Sequence, residues 1–435
     1  MACSGGHRIM FLSLRKQYRS AARTNAGLGL HLNRMRSMSA FDTPWDLVRH
    51  FDADRPIACC RPHLVRQAAK WFLTNFTGET LYAVKANPSP WVLKTLHESG
   101  IHQYDVASIP EMELVAEHCP GATMHFMHPV KSRAAIRRAY FDFGIRTFVF
   151  DCEAELDKIL DTTARAKDLT LILRVGVSNQ GAEMPIDGKF GAPHYDVPRL
   201  LKLVRPLSAR LGLCFHPGSQ CMDPFAWAVH MDTLSRYIDD SGVDVDIMDV
   251  GGGFPVSYPG KEPTALERFP IVIQDAFDRM PLARDAELWC EPGRALVAEG
   301  TSLLTHVELV RGNEIFINDG AFGTLYDAAH CKWPFPIRLI RRNGEPSVRL
   351  KAFKLFGPTC DSADVITGPF FLPEDIREGD VIEIGTLGAY GVAMQTGFNG
   401  YGETVDAFAN DTPWHSVYEP RVFNVSEKST WFSTI

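Results

Sequence analysis

The chain has 435 residues, of which 45% are hydrophobic and 22% charged, with a formal net charge of −7 and a pI near 6.1. A chain of this size can bury a large core and is expected to form about two domains. Its acidic balance offers no basic surface for nucleic acid, and no apolar run approaches the roughly 20 residues of a membrane span. We therefore expect a soluble protein that acts on a small molecule.

The first 41 residues differ in composition from the rest of the chain. They contain no Asp or Glu, and their basic residues are Arg8, Arg15, Lys16, Arg19, Arg23, Arg34 and Arg36. An acid-free segment with arginines and serines is typical of an organelle transit peptide, and an upstream start codon, with Met35 or Met38 as the natural first residue, explains it equally well. We predict a disordered or targeting-like extension over residues 1–41.

The ten cysteines of the chain show no paired CxxC spacing. They indicate neither a disulfide framework nor a zinc site, so we predict free thiols in a reducing compartment. We expect a cytoplasmic protein without a bound metal, with organelle import through residues 1–41 as the alternative.

The segment Leu81–Pro88 contains the first candidate for chemistry. It is a short apolar run with a β-strand composition that ends on Lys85 and is then broken by Asn-Pro. An ammonium desolvated by Tyr82, Ala83 and Val84 would lose its proton more readily than a surface lysine and could form an imine with a carbonyl compound. Lys85 is the candidate anchor for such a compound, and a solvated lysine at a strand end is the alternative.

Short apolar runs of β-prone residues recur between residues 81 and 290. They are Leu81–Val84, Gln103–Ala107, Thr123–Phe126, Thr147–Phe150, Leu171–Val175, Leu211–Phe215, Val245–Val250 and Leu288–Cys290. Amphipathic stretches of helical length, such as Ile109–His118 and Ala154–Ala166, separate most of them. Buried parallel strands that alternate with helices in this way are typical of a (β/α)₈ barrel, which we predict over residues 55–295.

Residues with reactive or ligand-binding chemistry lie within or just after six of these strands. They are Lys85, Asp105, Arg174, His216, Gly251–Gly253, Glu291 and Arg294. The active site of a (β/α)₈ barrel lies at the carboxyl ends of its strands, so we expect these residues to share one mouth of the barrel. Taken singly, His216 could be a core imidazole and the glycines a tight turn, but their joint placement favours a functional site.

Beyond Arg294 the pattern changes to extended segments without helices between them. These segments are Thr305–Val310, Glu314–Asn318, Pro336–Arg341, Val348–Leu355 and Val381–Ile384. The alternation of polar and apolar residues in Val348–Leu355 suits a half-exposed antiparallel strand. We predict an all-β domain over residues 296–435, possibly with residues 42–54 added.

Six motifs follow one another along the chain: Tyr82–Asn87, Phe215–Ser219, Asp249–Pro255, Glu291–Arg294, Cys360-Asp361 and Gly388–Tyr390. In this order they resemble the motifs of the fold-type III decarboxylases of basic amino acids, which depend on pyridoxal 5′-phosphate (PLP). The likeness covers roughly residues 55 to 405 and is greatest to the ornithine/lysine branch. It implies an alanine-racemase-like (β/α)₈ barrel followed by an all-β domain.

The resemblance also implies how the cofactor would be bound. Lys85 would bind PLP covalently, and the Glu291 carboxylate would keep the pyridine nitrogen protonated, so that the ring can accept electrons when CO₂ leaves. His216 would lie against the ring face, while Asp105 and Arg174 would position Lys85 and the cofactor. The expected phosphate ligands are Gly251, Gly252, Gly253, Ser219, Arg294 and Tyr390.

For the substrate, the resemblance assigns Cys360 as the acid that reprotonates the carbon after decarboxylation, because a thiol has a pKa near neutrality. Asp361 would bind the distal amine of a diamino acid, and Phe398 belongs to the same substrate pocket. In relatives the loop that carries Cys360 is supplied by the partner subunit. We therefore expect a homodimer whose two active sites are shared across the interface.

Several positions depart from the family pattern and leave the substrate open. Phe322 stands where ornithine decarboxylases have Tyr, and Asp327 is the nearest candidate for a second acidic residue that eukaryotic relatives place downstream. Pro217 and the run from 391 to 397 are also atypical. L-Ornithine, giving putrescine, is the favoured substrate, and L-lysine, giving cadaverine, is possible.

Other members of the family and its neighbours remain alternatives. A diaminopimelate enzyme typically shows Cys-Glu-Ser where this chain has Cys360-Asp361-Ser362, and a racemase would have Arg in place of Glu291. A catalytically silent regulatory homologue should have lost cofactor residues that this chain retains. These comparisons favour a decarboxylase of a substrate with a cationic distal group.

Overall fold

The computed structural model describes residues 40–50, 54–179, 181–186, 188–331, 333–412 and 416–418. The extension predicted over residues 1–41 lies outside these residues except for its last two positions. Within the described ranges, no helix is long and apolar enough to span a membrane.

Eight parallel strands close into a barrel, which confirms the predicted fold class. Strand β1 (Ile57–Cys60) precedes the barrel and belongs to a second sheet. The barrel strands are β2 (Glu79–Ala83), β3 (Gln103–Val106), β4 (Thr123–Phe126), β5 (Thr147–Phe150), β6 (Thr170–Arg174), β8 (Arg210–Cys214), β10 (Ile247–Asp249) and β11 (Glu287–Cys290). A short antiparallel pair, β7 (Ala182–Met184) and β9 (Ser219–Cys221), lies in the loops that follow β6 and β8.

Helices alternate with the barrel strands, and further short helices lie before the barrel and within the second domain. The helices are α1 (Pro44–His50), α2 (Pro62–Asn75), α3 (Pro90–Glu98), α4 (Ile109–His118), α5 (Arg133–Phe141), α6 (Glu153–Thr162), α7 (Val197–Val204), α8 (Phe225–Ser241), α9 (Arg268–Phe277), α10 (Arg294–Val297), α11 (Tyr326–His330) and α12 (Gly391–Met394). Local sequence sets their ends: the Ser108 hydroxyl accepts from the Glu111 N–H at the start of α4, and α8 ends at Gly242, whose φ of 61° suits a residue without a side chain.

Two apolar layers make the barrel core. The barrel interior contains Leu81, Met127, Val149, Ile172, Cys214, Ile247 and Trp289. A larger cluster fills the space between strands and helices, where the buried residues of α7, for example Leu200 and Val204, face inward. This packing leaves the carboxyl ends of the strands to carry polar side chains.

The second domain is a mostly antiparallel sheet, as predicted. Its strand order is β14-β17-β12-β13-β15-β16, and β1 joins it by pairing with β12 and β18. Its strands are β12 (Thr301–Arg311), β13 (Glu314–Ile317), β14 (Ile337–Ile340), β15 (Leu350–Phe356), β16 (Val365–Pro373), β17 (Val381–Ile384) and β18 (Val405–Phe408).

The boundary predicted at residue 55 needs correction, because β1 does not belong to the barrel. Ile57 pairs antiparallel with Leu304 of β12 and parallel with Val405 of β18. The β1 sequence, Ile-Ala-Cys-Cys, is apolar and fully buried, so its composition alone resembles that of a barrel strand. Only its distant pairing partners place it in the second sheet, and the barrel itself starts at β2.

The two domains are joined by hydrogen bonds directly beside Lys85. The Tyr390 N–H donates to the Ala86 carbonyl at 2.7 Å, and the Asn87 side chain donates to the Gly388 carbonyl at 2.8 Å. Gly388 passes so close to the chain that a Cβ there would lie 1.8 Å from the Val297 carbonyl oxygen. The second domain therefore braces the turn that carries Lys85.

Candidate active site

Lys85 lies in a single 3₁₀ turn, Val84–Ala86, that directly follows β2. Its Nζ is 2.6 Å from Oδ2 of Asp105, a β3 residue that is only 2% exposed, whereas the Lys85 side chain is 45% exposed at the mouth of the barrel. Burial favours the neutral amine, but the Asp105 and Glu291 carboxylates outweigh it and raise the pKa of Lys85.

The expectation of a readily deprotonated lysine is therefore wrong for the protein without cofactor. The apolar neighbours Tyr82, Ala83 and Val84 are buried within the fold and do not enclose the amine. The structure instead shows an ammonium that is oriented by a buried carboxylate and open to an incoming molecule.

Glu291 follows β11 and lies beside Asp249, the last residue of β10. The two side chains are within hydrogen-bonding reach. Burial, with the Asp105 carboxylate, raises the pKa of Asp249 to about 6 against the opposing effect of the Glu291 hydrogen bond, while burial with the Asp249 and Asp105 carboxylates raises the pKa of Glu291 well above its ordinary value. The Lys85 and Arg174 charges act on Glu291 in the opposite direction. Burial thus favours the protonated form of both carboxyl groups.

His216 follows β8 and is held in one tautomer. Its Nδ1 accepts the Gly218 N–H at 3.1 Å, so a neutral ring carries its proton on Nε2. Burial, with help from Arg174 and Lys85, lowers the pKa of His216 well below its usual value. His216 thus provides a flat, neutral ring rather than an acid. Such a ring is suited to lie against another ring.

Gly251–Gly253 form a turn into which no side chain fits. A Cβ at Gly251, Gly252 or Gly253 would lie 2.1, 2.7 or 2.3 Å from the nearest backbone oxygen. Gly251 and Gly253 also have φ angles of 70° and 94°, which glycine adopts without strain. The turn therefore brings bare backbone to the mouth of the barrel, next to His216.

Arg294 is the central cation of this region and is only 4% exposed. Its Nη1 donates to the Tyr258 hydroxyl at 2.9 Å and to Asp327 Oδ2 at 2.5 Å, and its Nε donates to the Ser219 hydroxyl at 3.4 Å. The Tyr390 ring centroid lies 5.0 Å from the guanidinium. Buried Nη2 finds no hydrogen-bond acceptor among the described residues, so one strong donor is available to an anion.

Asp327 does not have the position expected of a ligand for the substrate amine. It lies in α11, is 4% exposed, and forms an ion pair with Arg294. Its carboxylate is therefore engaged by the phosphate-binding candidate, and the structure assigns it to holding Arg294.

Arg174 lies at the end of β6, as predicted, with its guanidinium 5.7 Å from the Phe190 ring centroid. Its positive charge acts on both Glu291 and Asp249. The structure thus brings Lys85, Asp105, Arg174, His216, Ser219, Gly251–Gly253, Glu291, Arg294 and Tyr390 to the same mouth of the barrel.

The predicted substrate residues of the second domain lie elsewhere. Cys360 is exposed, and its N–H donates to the Asn399 side chain at 3.0 Å, while Asp361 accepts from the Ala363 N–H within its own turn at 2.8 Å. Phe398 is 43% exposed and its ring centroid is 5.3 Å from that of Phe322. Within the described residues, none of these contacts is with the mouth of the barrel.

A small cavity, partly open to solvent, adjoins the Cys360 loop. It is lined by Asp319, Gly320, Phe322, Gly323, Pro358, Thr359, Asp364, Phe398, Tyr401 and Gly402. Three aromatic rings and two buried carboxylates thus lie next to the Cys360 loop.

Two site residues were not predicted from the sequence. Asp249 begins the motif that contains the three glycines, and its position at a strand end was the available signal. Tyr258 carries no sequence signal of this kind, since only the fold places its hydroxyl on Arg294.

Comparison with known proteins identifies the family. Residues 62–298 match the family described as the pyridoxal binding domain of the pyridoxal-dependent decarboxylases. The chain belongs to this family. The likeness noted from the six motifs is thereby confirmed.

Individual pyridoxal-dependent decarboxylases and their relatives align over most of the chain. A lysine/ornithine decarboxylase from Selenomonas ruminantium is 32% identical over 330 residues, which cover 74% of this chain and 80% of the relative. Antizyme inhibitor 2 from Xenopus laevis is 31% identical over 346 residues, 74% of this chain and 73% of the relative. The crystal structure of the Paramecium bursaria Chlorella virus arginine decarboxylase bound to agmatine has a TM-score of 0.74 at 26% identity and covers 83% of this chain and 98% of that chain.

The residues at the barrel mouth fit the PLP cofactor of this family. The unpartnered Nη2 of Arg294 and the bare backbone of Gly251–Gly253 suit a phosphate group, and the Lys85 amine suits an aldehyde. Glu291 is the carboxyl group suited to a pyridine nitrogen. Bound PLP supplies an electron sink for the bond-breaking step, while these residues orient it and hold the protons.

Proposed function

We propose that the protein catalyses the PLP-dependent decarboxylation of L-ornithine to putrescine, and of L-lysine to cadaverine as a second reaction. The arrangement of Lys85 beside Asp105 and close to the Glu291 carboxyl group carries the proposal, because it supplies the amine and the ring-nitrogen partner that the chemistry needs. The similarity to a lysine/ornithine decarboxylase and to an arginine decarboxylase supports a substrate with a cationic side-chain end.

Each residue contributes a defined step to this reaction. Lys85 is exposed at the mouth, where the amine of a substrate amino acid can take the place of its own amine. The carbon that loses CO₂ must then gain a proton, which the exposed Cys360 thiol can donate. The exposed Asp361 carboxylate can accept hydrogen bonds from the distal ammonium of the substrate.

The proposal includes a homodimer with shared active sites. Cys360 and Asp361 are exposed on the second domain, while the cofactor residues lie at the barrel mouth. Exposed apolar residues accompany them, with Phe398 43% and Tyr401 46% exposed. A two-fold related partner could supply this surface to the Lys85 site, and then both sites would be complete.

The experiment that tests the activity is CO₂ release from PLP-loaded protein. The amino acids to compare are L-ornithine, L-lysine, L-arginine, meso-diaminopimelate and the D-isomers of the first three. We expect L-ornithine to give the highest kcat/KM and L-lysine the next. A preference for diaminopimelate or for a D-isomer would contradict the proposal.

Mixing two inactive variants tests the shared sites. In a mixed dimer of Lys85→Ala and Cys360→Ala subunits, one shared site lacks both residues. The other site takes Lys85 from one subunit and Cys360 from its partner and is intact. Random exchange should restore about a quarter of the wild-type activity. If each active site is instead formed within one chain, mixing restores nothing, although size-exclusion chromatography would still show dimers.

A catalytically silent homologue is the second candidate, because antizyme inhibitor 2 is among the similar proteins. The retained Lys85–Asp105 pair and the buried Arg294 favour an enzyme. The two candidates differ in one result. A protein that binds PLP at Lys85 but releases no CO₂ from any of the amino acids above would support the silent homologue.

A further inference from the structure

Asp249 lies at the point where the glycine turn and Glu291 meet. It is the last residue of β10 and is 0% exposed. Its Oδ1 accepts the Gly251 N–H at 2.9 Å, and the Gly251 carbonyl in turn accepts the Glu291 N–H at 2.9 Å. Gly251 is therefore fixed from both sides, by the side chain of Asp249 and by the backbone of Glu291.

The second oxygen of Asp249 needs a proton to be satisfied. Oδ2 is buried and receives no hydrogen bond from the described residues, while the side chain of Glu291 lies within hydrogen-bonding reach of the Asp249 side chain. Two ionised carboxylates only accept hydrogen bonds and repel each other, so a buried contact between them is stable when one carries a proton.

The charged and titratable groups around the pair come from several strand ends. Asp105 adds a third carboxylate, Lys85 and Arg174 add positive charge, and two buried thiols belong to Cys214 and Cys290. Lys85 is already paired with Asp105, at 2.6 Å, so it does not fully offset the charge of both Asp249 and Glu291. The remaining imbalance favours a shared proton.

We propose that Asp249 is a positioning residue that shares one proton with Glu291 and, through Gly251, links the carboxyl group suited to the pyridine nitrogen with the turn suited to the phosphate. Asp249 does not touch the cofactor in this arrangement. It determines where the Glu291 carboxyl group lies and in which protonation state it meets the ring. The inference rests on the role given to Glu291 in the proposed function.

The arrangement has a signature in the protein without PLP. Burial, with the Asp105 carboxylate, raises the pKa of Asp249 to about 6, and burial with the Asp249 carboxylate raises the pKa of Glu291 well above its ordinary value. A carboxyl group with a raised pKa binds its proton more tightly in the folded than in the unfolded protein. Stability is therefore lost as pH rises from the ordinary carboxyl pKa of about 4 through these raised values.

Asp249→Asn removes the titrating proton of residue 249 but keeps the position and hydrogen bonds of its side chain. The amide oxygen still accepts the Gly251 N–H, while the amide nitrogen donates to Glu291 as a permanently protonated partner. Between pH 5 and pH 8 the melting temperature of the variant without PLP should fall by about 3 °C less than that of the wild type. Its PLP affinity should remain within about threefold of the wild-type value.

Asp249→Leu removes both contacts and is the matched comparison. It should also flatten the pH dependence, but it releases Gly251 and should weaken PLP binding by about tenfold or more. Circular dichroism of each variant reports folding. If Asp249→Leu does not fold, Glu291→Gln tests the same pair from the other side, because it also removes one of the two titrating carboxyl groups.

The outcomes separate this inference from the proposed function. Glu291→Gln should flatten the pH dependence as much as Asp249→Asn does, and the double variant should add nothing further. A wild-type pH dependence in Asp249→Asn, beside a flattened one in Glu291→Gln, would overturn the role of Asp249 only. Unchanged PLP affinity and absorption spectrum in Glu291→Gln would instead overturn the role of Glu291 itself.

Discussion

The mouth of the barrel and the Cys360 loop differ in how completely one chain builds them. At the barrel mouth, Lys85 is paired with Asp105, and Arg294 with Asp327, each through a nearly fully buried carboxylate. In the loop, Cys360 and Asp361 are exposed and contact only their own domain within the described residues. One chain thus prepares the cofactor half of the site from buried partners, while the proposed substrate half, on the Cys360 loop, stays exposed.

The difference has a physical reason. A multiply charged cofactor is bound best by dipoles and charges that are fixed before it arrives, and buried partners such as Asp105 fix them. The proposed proton donor, Cys360, instead lies on an exposed loop of the second domain. Variants in the two halves should therefore fail in different ways.

Lys85→Ala should have the largest effect, because it removes the amine that is proposed to bind PLP covalently. We expect turnover to fall by at least about 10³-fold. After borohydride reduction, mass spectrometry should find PLP attached to the wild-type peptide and absent from the variant. Lys94→Ala, an exposed change on α3, is the control. PLP attached elsewhere in Lys85→Ala would contradict the assignment of the anchor.

Cys360→Ala should separate the two halves most directly. Turnover should fall by about 10²-fold because the carbon loses its acid, while PLP binding stays at the wild-type level. Product analysis by mass spectrometry should reveal incorrectly protonated or oxidised by-products beside the diamine. Cys152→Ala, another exposed thiol but on the barrel, is the control. Normal turnover with a pure product would show that another group protonates the carbon.

The sequence predicts the barrel half well because local signals are sufficient there. Six of the eight strand ends are marked by reactive or ligand-binding residues, and parallel closure brings these ends to one mouth. Prediction failed where the answer depends on distant pairing. Strand β1 has barrel-like composition but pairs with Leu304 and Val405, and strands β16 and β18 are not among the predicted segments.

Protonation states were the other limit of prediction. The apolar neighbours of Lys85 predict a neutral amine, whereas the Asp105 carboxylate, which is adjacent only in the fold, raises its pKa. For the same reason Asp249 was not singled out, since its partner Glu291 directly follows the neighbouring strand of the barrel. A carboxyl pair of this kind becomes visible only when neighbouring strands are aligned.

Asp327→Asn distinguishes the predicted role of Asp327 from the observed one. If Asp327 serves Arg294, the variant leaves a buried guanidinium without its ion pair and lowers the stability of the PLP-free protein by about 3 kcal/mol. PLP should then raise the melting temperature more in the variant than in the wild type, because the phosphate replaces the lost charge. A tenfold higher KM for ornithine with unchanged stability would support the substrate role instead.

Phe322→Tyr should have the smallest effect and addresses the substrate half alone. The Phe322 ring lines the cavity beside the Cys360 loop and lies 5.3 Å from Phe398, so a hydroxyl there adds one polar group and removes a little volume. We expect kcat/KM to shift toward ornithine over lysine by about fivefold, the value of one hydrogen bond of about 1 kcal/mol. Phe356→Tyr, in a stacked pair with Phe316 on the same domain, is the matched control. Equal shifts in both variants would show that the cavity does not contact the substrate, and the proposed substrate half of the site would then lie elsewhere on this surface.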